Sequence, residues 1–281
     1  MYKLIATDLD DTLLTDQKHV SPVDIDTINR LNNTKFVIST GRGFNSVQDT
    51  LKEIGLYDKE NEYVISYNGA VITENKGNRI IHFDPIGYEN ARKIFELGLK
   101  YDVCIHTYTI DNCYAYRIFE GEKRYLNNRI RITEIDKPDI SFLKDEIIIK
   151  MLYCTEDMDY LRKIKEEINL DDEFEIAYSA QRYLEFNKKG MNKGYGLETL
   201  CNILDIDIKD TIAIGDSTND AIMIKKAGLG LCVANASEDV IPYCDEILES
   251  TNNQSPITEI YNRYLYSKKY HYLEHRSNTL D

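Results

Sequence analysis

The chain has 281 residues, of which 42% are hydrophobic, so it is long enough to bury the core of more than one domain. Its 48 acidic residues against 34 basic ones give a formal charge of −14 at pH 7, which repels a polyanion. The charge balance argues against nucleic acid as the main partner, and no apolar run approaches the length of a membrane span.

The cysteines and the N-terminal residues indicate the cellular compartment of the protein. The six cysteines are scattered without a CxxC pair, which predicts reduced core residues, and "MYKLIATDLD" lacks the pattern of a signal peptide. Both features predict a cytoplasmic protein. A segment at 266–276, rich in Lys and Tyr, could be taken for a nucleic-acid patch but is better explained as a solvated terminal helix or tail.

The first elements follow the pattern of a parallel α/β sheet. In chain order they are a buried strand over 4–6, a helix over 24–33, a strand over 35–40, a helix over 44–56 and a strand over 63–70. Strands that alternate with helices imply parallel pairing with right-handed crossovers. The sequence therefore predicts a parallel-sheet core at this end of the chain.

The pattern changes over the middle of the chain. A helix is predicted over 88–99, a hairpin from strands at 103–109 and 113–119, a strand over 146–154, a helix over 158–168, and strands at 174–179 and 183–187. Because this αββ pattern occurs twice and is antiparallel in character, we expect an inserted second domain over 85–187. The core domain is then discontinuous and consists of 1–84 and 188–281.

Parallel α/β units resume after residue 188. The predicted elements are a helix over 191–206 with Lys193 in its first turn, a strand over 211–216, a helix over 217–228 and a strand over 229–236.

Polar side chains gather where these core elements begin or end: Asp8 with Asp10, Ser39-Thr40-Gly41, Lys193, and Gly215-Asp216 with Asn219 and Asp220. An Asp cluster alone is often only a turn. However, the carboxyl ends of parallel strands share one edge of a sheet, where these groups could meet. Three carboxylates suit Mg²⁺, and a hydroxyl, backbone N–H groups and an ammonium suit a phosphoryl group. A carboxylate beside the metal could itself be the nucleophile.

Four motifs carry a family resemblance. In this order, "DLDDT", "STGR", "KKGMNKG" and "GDSTNDAIM" resemble the motifs of the haloacid dehalogenase (HAD) superfamily, in its Cof-like branch with a type IIB cap. Motif order, spacing and the αββ-αββ insertion fit nearly the whole chain, to about residue 260. The resemblance implies an α/β fold with a Rossmann-like parallel-sheet core and an inserted α+β cap domain.

The resemblance also implies a role for each matched residue. Asp8 would be the nucleophile and Asp10 the general acid and base. Mg²⁺ would be held by the Asp8 carboxylate, the Asp10 backbone carbonyl and Asp216, while Asp220 would support the metal or the lysine. The residues implied to bind the phosphoryl group are Leu9, through its backbone N–H, Thr40, Gly41, Lys193 and Asn219.

Several residues leave alternatives open. Asp11 stands where the family usually has Gly, and a turn role is favoured over a catalytic one. Gly43 stands where the branch often has Pro, which is expected to loosen the loop carrying Arg42. That arginine could reach substrate or form a surface or inter-domain ion pair. Asn68 could be a turn former or a ligand, and Lys193 could be a solvated lysine that opposes the helix dipole.

The resemblance implies a Mg²⁺-dependent phosphatase that acts on small phosphorylated metabolites, by default hexose or pentose phosphates, through an aspartyl-phosphate. The cap would select the substrate and exclude water. The branch also contains a phosphomutase, so the phosphoryl acceptor is open. A phospho-receiver or interaction module is the non-enzymatic alternative, but it would have no acid role for Asp10. A strict dehalogenase would not need Asp216.

Overall fold

The computed structural model describes residues 1–126, 130–179 and 181–266, and the chain within it separates into two units. The first unit contains Met1–Ile81 and the described chain from Lys193 onward, and the second unit spans His82–Asn192. The basic residues at 268–276, predicted to form a solvated helix or tail, lie outside the described residues.

The strands, numbered in chain order, are β1 (Leu4–Thr7), β2 (Lys35–Ser39), β3 (Tyr63–Ser66), β4 (Val71–Glu74), β5 (Arg79–Phe83), β6 (Cys104–Thr109), β7 (Cys113–Tyr116), β8 (Ile132–Ile135), β9 (Ile148–Cys154), β10 (Phe174–Ser179), β11 (Tyr183–Lys188), β12 (Thr211–Gly215), β13 (Leu229–Cys232) and β14 (Glu246–Ile247). The helices are α1 (Pro22–Ile28), α2 (Gln48–Glu53), α3 (Tyr88–Gly98), α4 (Glu120–Leu126), α5 (Met158–Ile168), α6 (Lys193–Leu204), α7 (Ala221–Lys226) and α8 (Pro256–Ile260).

Within the described residues, one eight-stranded sheet has the order β14-β13-β12-β1-β2-β3-β4-β5. The pairings from β14 through β3 are parallel, as the sequence predicts, whereas β4 turns back antiparallel to β3. Its central strands are buried on both faces: Ile5 lies in one apolar cluster, and Leu4 and Ala6 lie in the other. This double burial explains why β1 reads as a continuous apolar run.

The register of the central strands fixes where the polar residues emerge. Thr7 at the end of β1 pairs with Ile38 in β2 and with Ile214 in β12. The residues that follow each strand, Asp8, Thr40 and Asp216, therefore come out at the same edge of the sheet.

The helix predicted over 24–33 is displaced in the structure. It begins at Pro22 because the Ser21 side chain accepts a hydrogen bond from the Asp24 backbone N–H, which makes Ser21 the N-cap. It ends at Ile28, where the Asn29 side chain donates to the Ile25 carbonyl. Side-chain capping thus sets both ends.

The second unit contains a six-stranded sheet, within the described residues, of order β10-β11-β9-β6-β7-β8. The predicted hairpin is present as β6 antiparallel to β7. One face packs against α3 and α5 through an apolar cluster that includes Phe95, Ile164 and Phe186. Among the described residues, every helix falls short of the length and apolar character that a membrane-spanning segment requires.

Sequence reasoning missed four strands, β4, β5, β8 and β14, and two helices, α4 and α8. In α4 the fully buried Glu122 carboxylate accepts hydrogen bonds from the Tyr183 hydroxyl at 2.7 Å and from Arg182 at 2.8 Å. These partners lie about sixty residues further along the chain, so no local pattern reveals why this polar segment docks.

Candidate active site

The chain turns sharply after β1 and presents Asp8 and Asp10. The Asp8 backbone N–H donates to the Ile214 carbonyl at 2.9 Å, which fixes Asp8 beside β12. An irregular helical turn follows over Leu9–Leu13, with Asp10 extended and Asp11 left-handed at φ 57°. A left-handed backbone is uncommon for residues other than glycine, although Asp adopts it more readily than most, so the turn is compatible with Asp11 in place of glycine.

Lys193, the first residue of α6, is fully buried between two carboxylates. Its Nζ lies 2.5 Å from Asp8 Oδ1 and 2.6 Å from Asp220 Oδ1. Burial works against the ammonium, but Asp220 and Asp8 outweigh that effect, so the pKa of Lys193 is raised. The alternative of a solvated first-turn lysine is therefore wrong.

Three carboxylates form one cluster: an oxygen from each of Asp8, Asp216 and Asp220 lies within 4.8 Å of the others. Burial, followed by the charge of Asp220, raises the pKa of Asp8 well above its usual value and that of Asp216 to about 6. The Lys193 ammonium carries one positive charge against the three carboxyl groups of this cluster. A hard divalent cation with oxygen ligands fits this donor set.

Neighbouring groups orient the cluster. The Thr12 hydroxyl donates to Asp216 Oδ1 at 2.7 Å, and Asp220 Oδ2 accepts the backbone N–H groups of Asp216 and Ser217, each at 3.1 Å. The Ser217 hydroxyl in turn donates to Asn219 Oδ1 at 2.7 Å. Asp220 therefore supports both Lys193 and the end of β12. Sequence reasoning missed Thr12, although it is the last residue of "DLDDT".

Thr40 and Gly41 follow β2 at the edge where Asp8 emerges. The Thr40 backbone N–H donates to the Ile65 carbonyl at 2.9 Å, and its hydroxyl oxygen accepts from the Arg42 backbone N–H at 3.1 Å. These two bonds fold the segment into a short loop. Leu9, whose backbone N–H the resemblance assigns to phosphoryl binding, is buried in the turn after Asp8.

Arg42 forms an ion pair with Asp10 inside the first unit. Its Nε donates to Asp10 Oδ2 at 2.8 Å, and its Nη2 donates to Oδ1. Burial raises the pKa of Asp10, but Arg42 and then Lys18 more than offset burial, so the pKa is lowered. Lys18 Nζ lies 3.5 Å from Asp10 and 3.2 Å from Asp11. Of the two alternatives for Arg42, the structure shows an ion pair, but within the first unit and not between domains. Its partner Asp10 and the contact with Lys18 were not predicted, because no motif links these residues.

Comparisons with known proteins agree over almost the whole chain. A family model described as haloacid dehalogenase-like hydrolase matches residues 5–260. YxeH of Bacillus subtilis, named as a proposed phosphatase, is 29% identical over 259 residues and covers 91% of this chain and 93% of that protein. The 5-amino-6-(5-phospho-D-ribitylamino)uracil phosphatase YcsE of the same organism is 26% identical over 263 residues, with coverage of 92% and 93%.

A comparison with solved structures also supports the fold. The structure of BT4131, described as a HAD subclass IIB sugar phosphatase, superposes with a TM-score of 0.79. The match covers 93% of this chain and 98% of that one at 20% identity, so the likeness concerns the fold alone.

Proposed function

Because the chain belongs to the haloacid dehalogenase-like hydrolases, in their Cof-like branch, and is a phosphatase, we propose that it is Mg²⁺-dependent and works through an aspartyl-phosphate on Asp8. The observation that carries the proposal is the cluster of the half-buried Asp216 with the buried Asp8, Asp220 and Lys193. A phosphoryl group needs positive charge around its oxygens, and this group combines an ammonium with a donor set for a cation.

The proposed metal ligands are the Asp8 carboxylate, the Asp10 backbone carbonyl and Asp216. Bound Mg²⁺ would supply neutralising charge for the phosphoryl oxygens. Thr12 and Asp220 would keep Asp216 in place through their hydrogen bonds to its carboxylate and its backbone N–H.

In the proposed first step, an Asp8 oxygen attacks phosphorus and forms an O–P bond while the ester P–O bond breaks. Asp10 donates a proton to the departing oxygen. In the second step Asp10 takes a proton from water, the water oxygen attacks phosphorus, and the Asp8 carboxylate and inorganic phosphate are released. The groups proposed to bind the phosphoryl oxygens throughout are the Leu9 backbone N–H, Thr40, Gly41, Lys193 and Asn219.

The ion pair between Asp10 and Arg42 affects whether Asp10 can act as the general acid. Both Asp10 carboxylate oxygens accept hydrogen bonds from Arg42 in the structure. Proton donation by Asp10 therefore requires that the ion pair open when substrate binds.

We further propose sugar phosphates as the substrate class, a cytoplasmic location, and the second unit as the cap that selects the substrate. BT4131, which shares the fold, is described as a sugar phosphatase.

The proposal is tested with a panel of phosphate esters that includes p-nitrophenyl phosphate and hexose and pentose phosphates. Inorganic phosphate release should depend on Mg²⁺, disappear with a chelator and return when the metal is restored. A variant with Asp8→Asn serves as the control for contaminating phosphatases. Full activity in the presence of chelator would rule out the metal assignment, and transfer between sugar hydroxyls without phosphate release would indicate a mutase.

A further inference from the structure

The turn after β3 has an unusual backbone. Tyr67, Asn68 and Gly69 have φ values of 52°, 54° and 96°. In the described part of the chain, no other two neighbouring non-glycine residues both have positive φ. Left-handed backbone in bulky residues persists only where surrounding structure enforces it, and it is concentrated at functional sites.

This turn holds the loop that follows β2. The Tyr67 backbone N–H donates to the Arg42 carbonyl and the Asn68 backbone N–H donates to the Thr40 carbonyl, each at 3.0 Å. The two bonds fasten the chain on either side of Gly41, and the left-handed backbone is what aims both N–H groups at the same loop.

Side chains of the turn fill the space beside two glycines. A Cβ on Gly41 would lie 3.1 Å from Asn68 Oδ1 and 3.6 Å from Nδ2, so the carboxamide lies directly against Gly41. A Cβ on Gly43 would lie 2.4 Å from the Tyr67 hydroxyl oxygen. Tyr67 and Asn68 are both buried. The loop that Gly43 was expected to loosen is therefore packed against the Tyr67 ring.

We propose that Asn68 is a positioning residue whose carboxamide sets the place of Gly41, and through it the phosphoryl-binding loop Thr40–Gly41. The inference rests on the proposed function, since the position of this loop matters to turnover only if it binds the phosphoryl group. Removing the carboxamide leaves Gly41 free to move towards the vacated space. Misplacement of binding groups by about 1 Å reduces rates on the order of 10²-fold.

Asn68→Gly tests this role because glycine adopts φ 54° without strain. The turn and its two backbone hydrogen bonds should persist, so only the carboxamide is lost. We expect kcat for p-nitrophenyl phosphate to fall about 10- to 100-fold and KM to rise more than about threefold, because a misplaced loop binds the phosphoryl group less well in the ground state and in the transition state. The control Asn78→Gly, whose φ is 50° in a turn elsewhere in the first unit, should keep wild-type kcat, and both variants should keep the native circular dichroism spectrum at the assay temperature.

Two results would overturn the proposal: a kcat for Asn68→Gly within about twofold of wild type, or a fall in kcat in a variant that has lost the native circular dichroism spectrum at the assay temperature. Titration calorimetry with inorganic phosphate in Mg²⁺ distinguishes failure of the positioning proposal from failure of the proposed function. If the wild-type protein hydrolyses no ester, the proposed function is wrong, but weaker phosphate binding by Asn68→Gly than by wild type still supports the positioning role. Equal phosphate affinities of the two proteins, or a wild-type protein that binds no phosphate, would overturn the positioning role.

Discussion

Replacing Lys193 with methionine should destabilise the first unit strongly. Lys193→Met keeps an unbranched apolar side chain of similar size but removes the ammonium that Asp8 and Asp220 contact at 2.5 and 2.6 Å. Both carboxylates then remain buried without that partner. Removing one partner of a buried ion pair costs about 3–5 kcal/mol. For a unit of this size, that loss corresponds to a fall in melting temperature of about 6–20 °C.

The loss of stability caused by Lys193→Met should depend on pH. Burial and Asp220 already raise the pKa of Asp8, and loss of Lys193 removes a charge that opposes that rise. A carboxyl whose native pKa lies above its unfolded value destabilises the native state above the native pKa and not below the unfolded one. The loss caused by Lys193→Met should therefore be larger at about pH 7.5 than at about pH 5.

Far-UV circular dichroism in denaturant, with chelator present, is a suitable assay because the chain has no tryptophan. Lys226→Met is the matched control: Lys226 pairs with Glu198 at an exposed surface of the same unit, and such pairs contribute about 0–1 kcal/mol. If the free energy of unfolding of Lys193→Met lies within about 1 kcal/mol of that of the control, the buried ion-pair arrangement is refuted.

Three further variants test the proposed roles. Asp8→Asn should lose essentially all turnover of p-nitrophenyl phosphate yet keep its circular dichroism spectrum, because an amide cannot attack phosphorus; near wild-type kcat would remove Asp8 as the nucleophile. Asp10→Asn should lower kcat/KM by about 10²–10⁴ for a sugar phosphate but far less for p-nitrophenyl phosphate, whose leaving group needs no proton, provided phosphoryl transfer limits both. Equal losses would exclude the acid role. Thr12→Val should weaken Mg²⁺ binding about 10- to 100-fold in calorimetry because its hydroxyl orients Asp216, and unchanged affinity would contradict that function.

The parts of the fold that sequence reasoning predicted are those with continuous apolar runs and local signals. The strands β1, β2 and β12 are buried on both sides, so their residues read as apolar stretches that end in polar ones. The rule that parallel strands share a carboxyl edge then placed Asp8 and Asp216 near each other, and the structure brings them into one cluster with Asp220.

What sequence reasoning missed depends on contacts between distant residues. The bonds from Arg42 to Asp10 and from Thr12 to Asp216 join residues 32 and 204 positions apart, so no local spacing reveals them. Asp11 adopts φ 57° where Asp is less favoured than Gly, because the turn imposes the backbone whichever side chain is present. Its carboxylate lies 3.2 Å from Lys18 Nζ.

The most direct test of the proposed mechanism is to trap the aspartyl-phosphate. An Asp10→Asn variant should form it readily from p-nitrophenyl phosphate and hydrolyse it slowly, because the base that activates water is missing. After mixing in Mg²⁺ and quenching with acid, borohydride reduces an acyl phosphate to an alcohol, which peptide mass spectrometry locates. The mechanism predicts reduction at Asp8 and none when Mg²⁺ is chelated. Reduction at Asp11, or no reduction despite a stoichiometric burst of nitrophenolate, would contradict it.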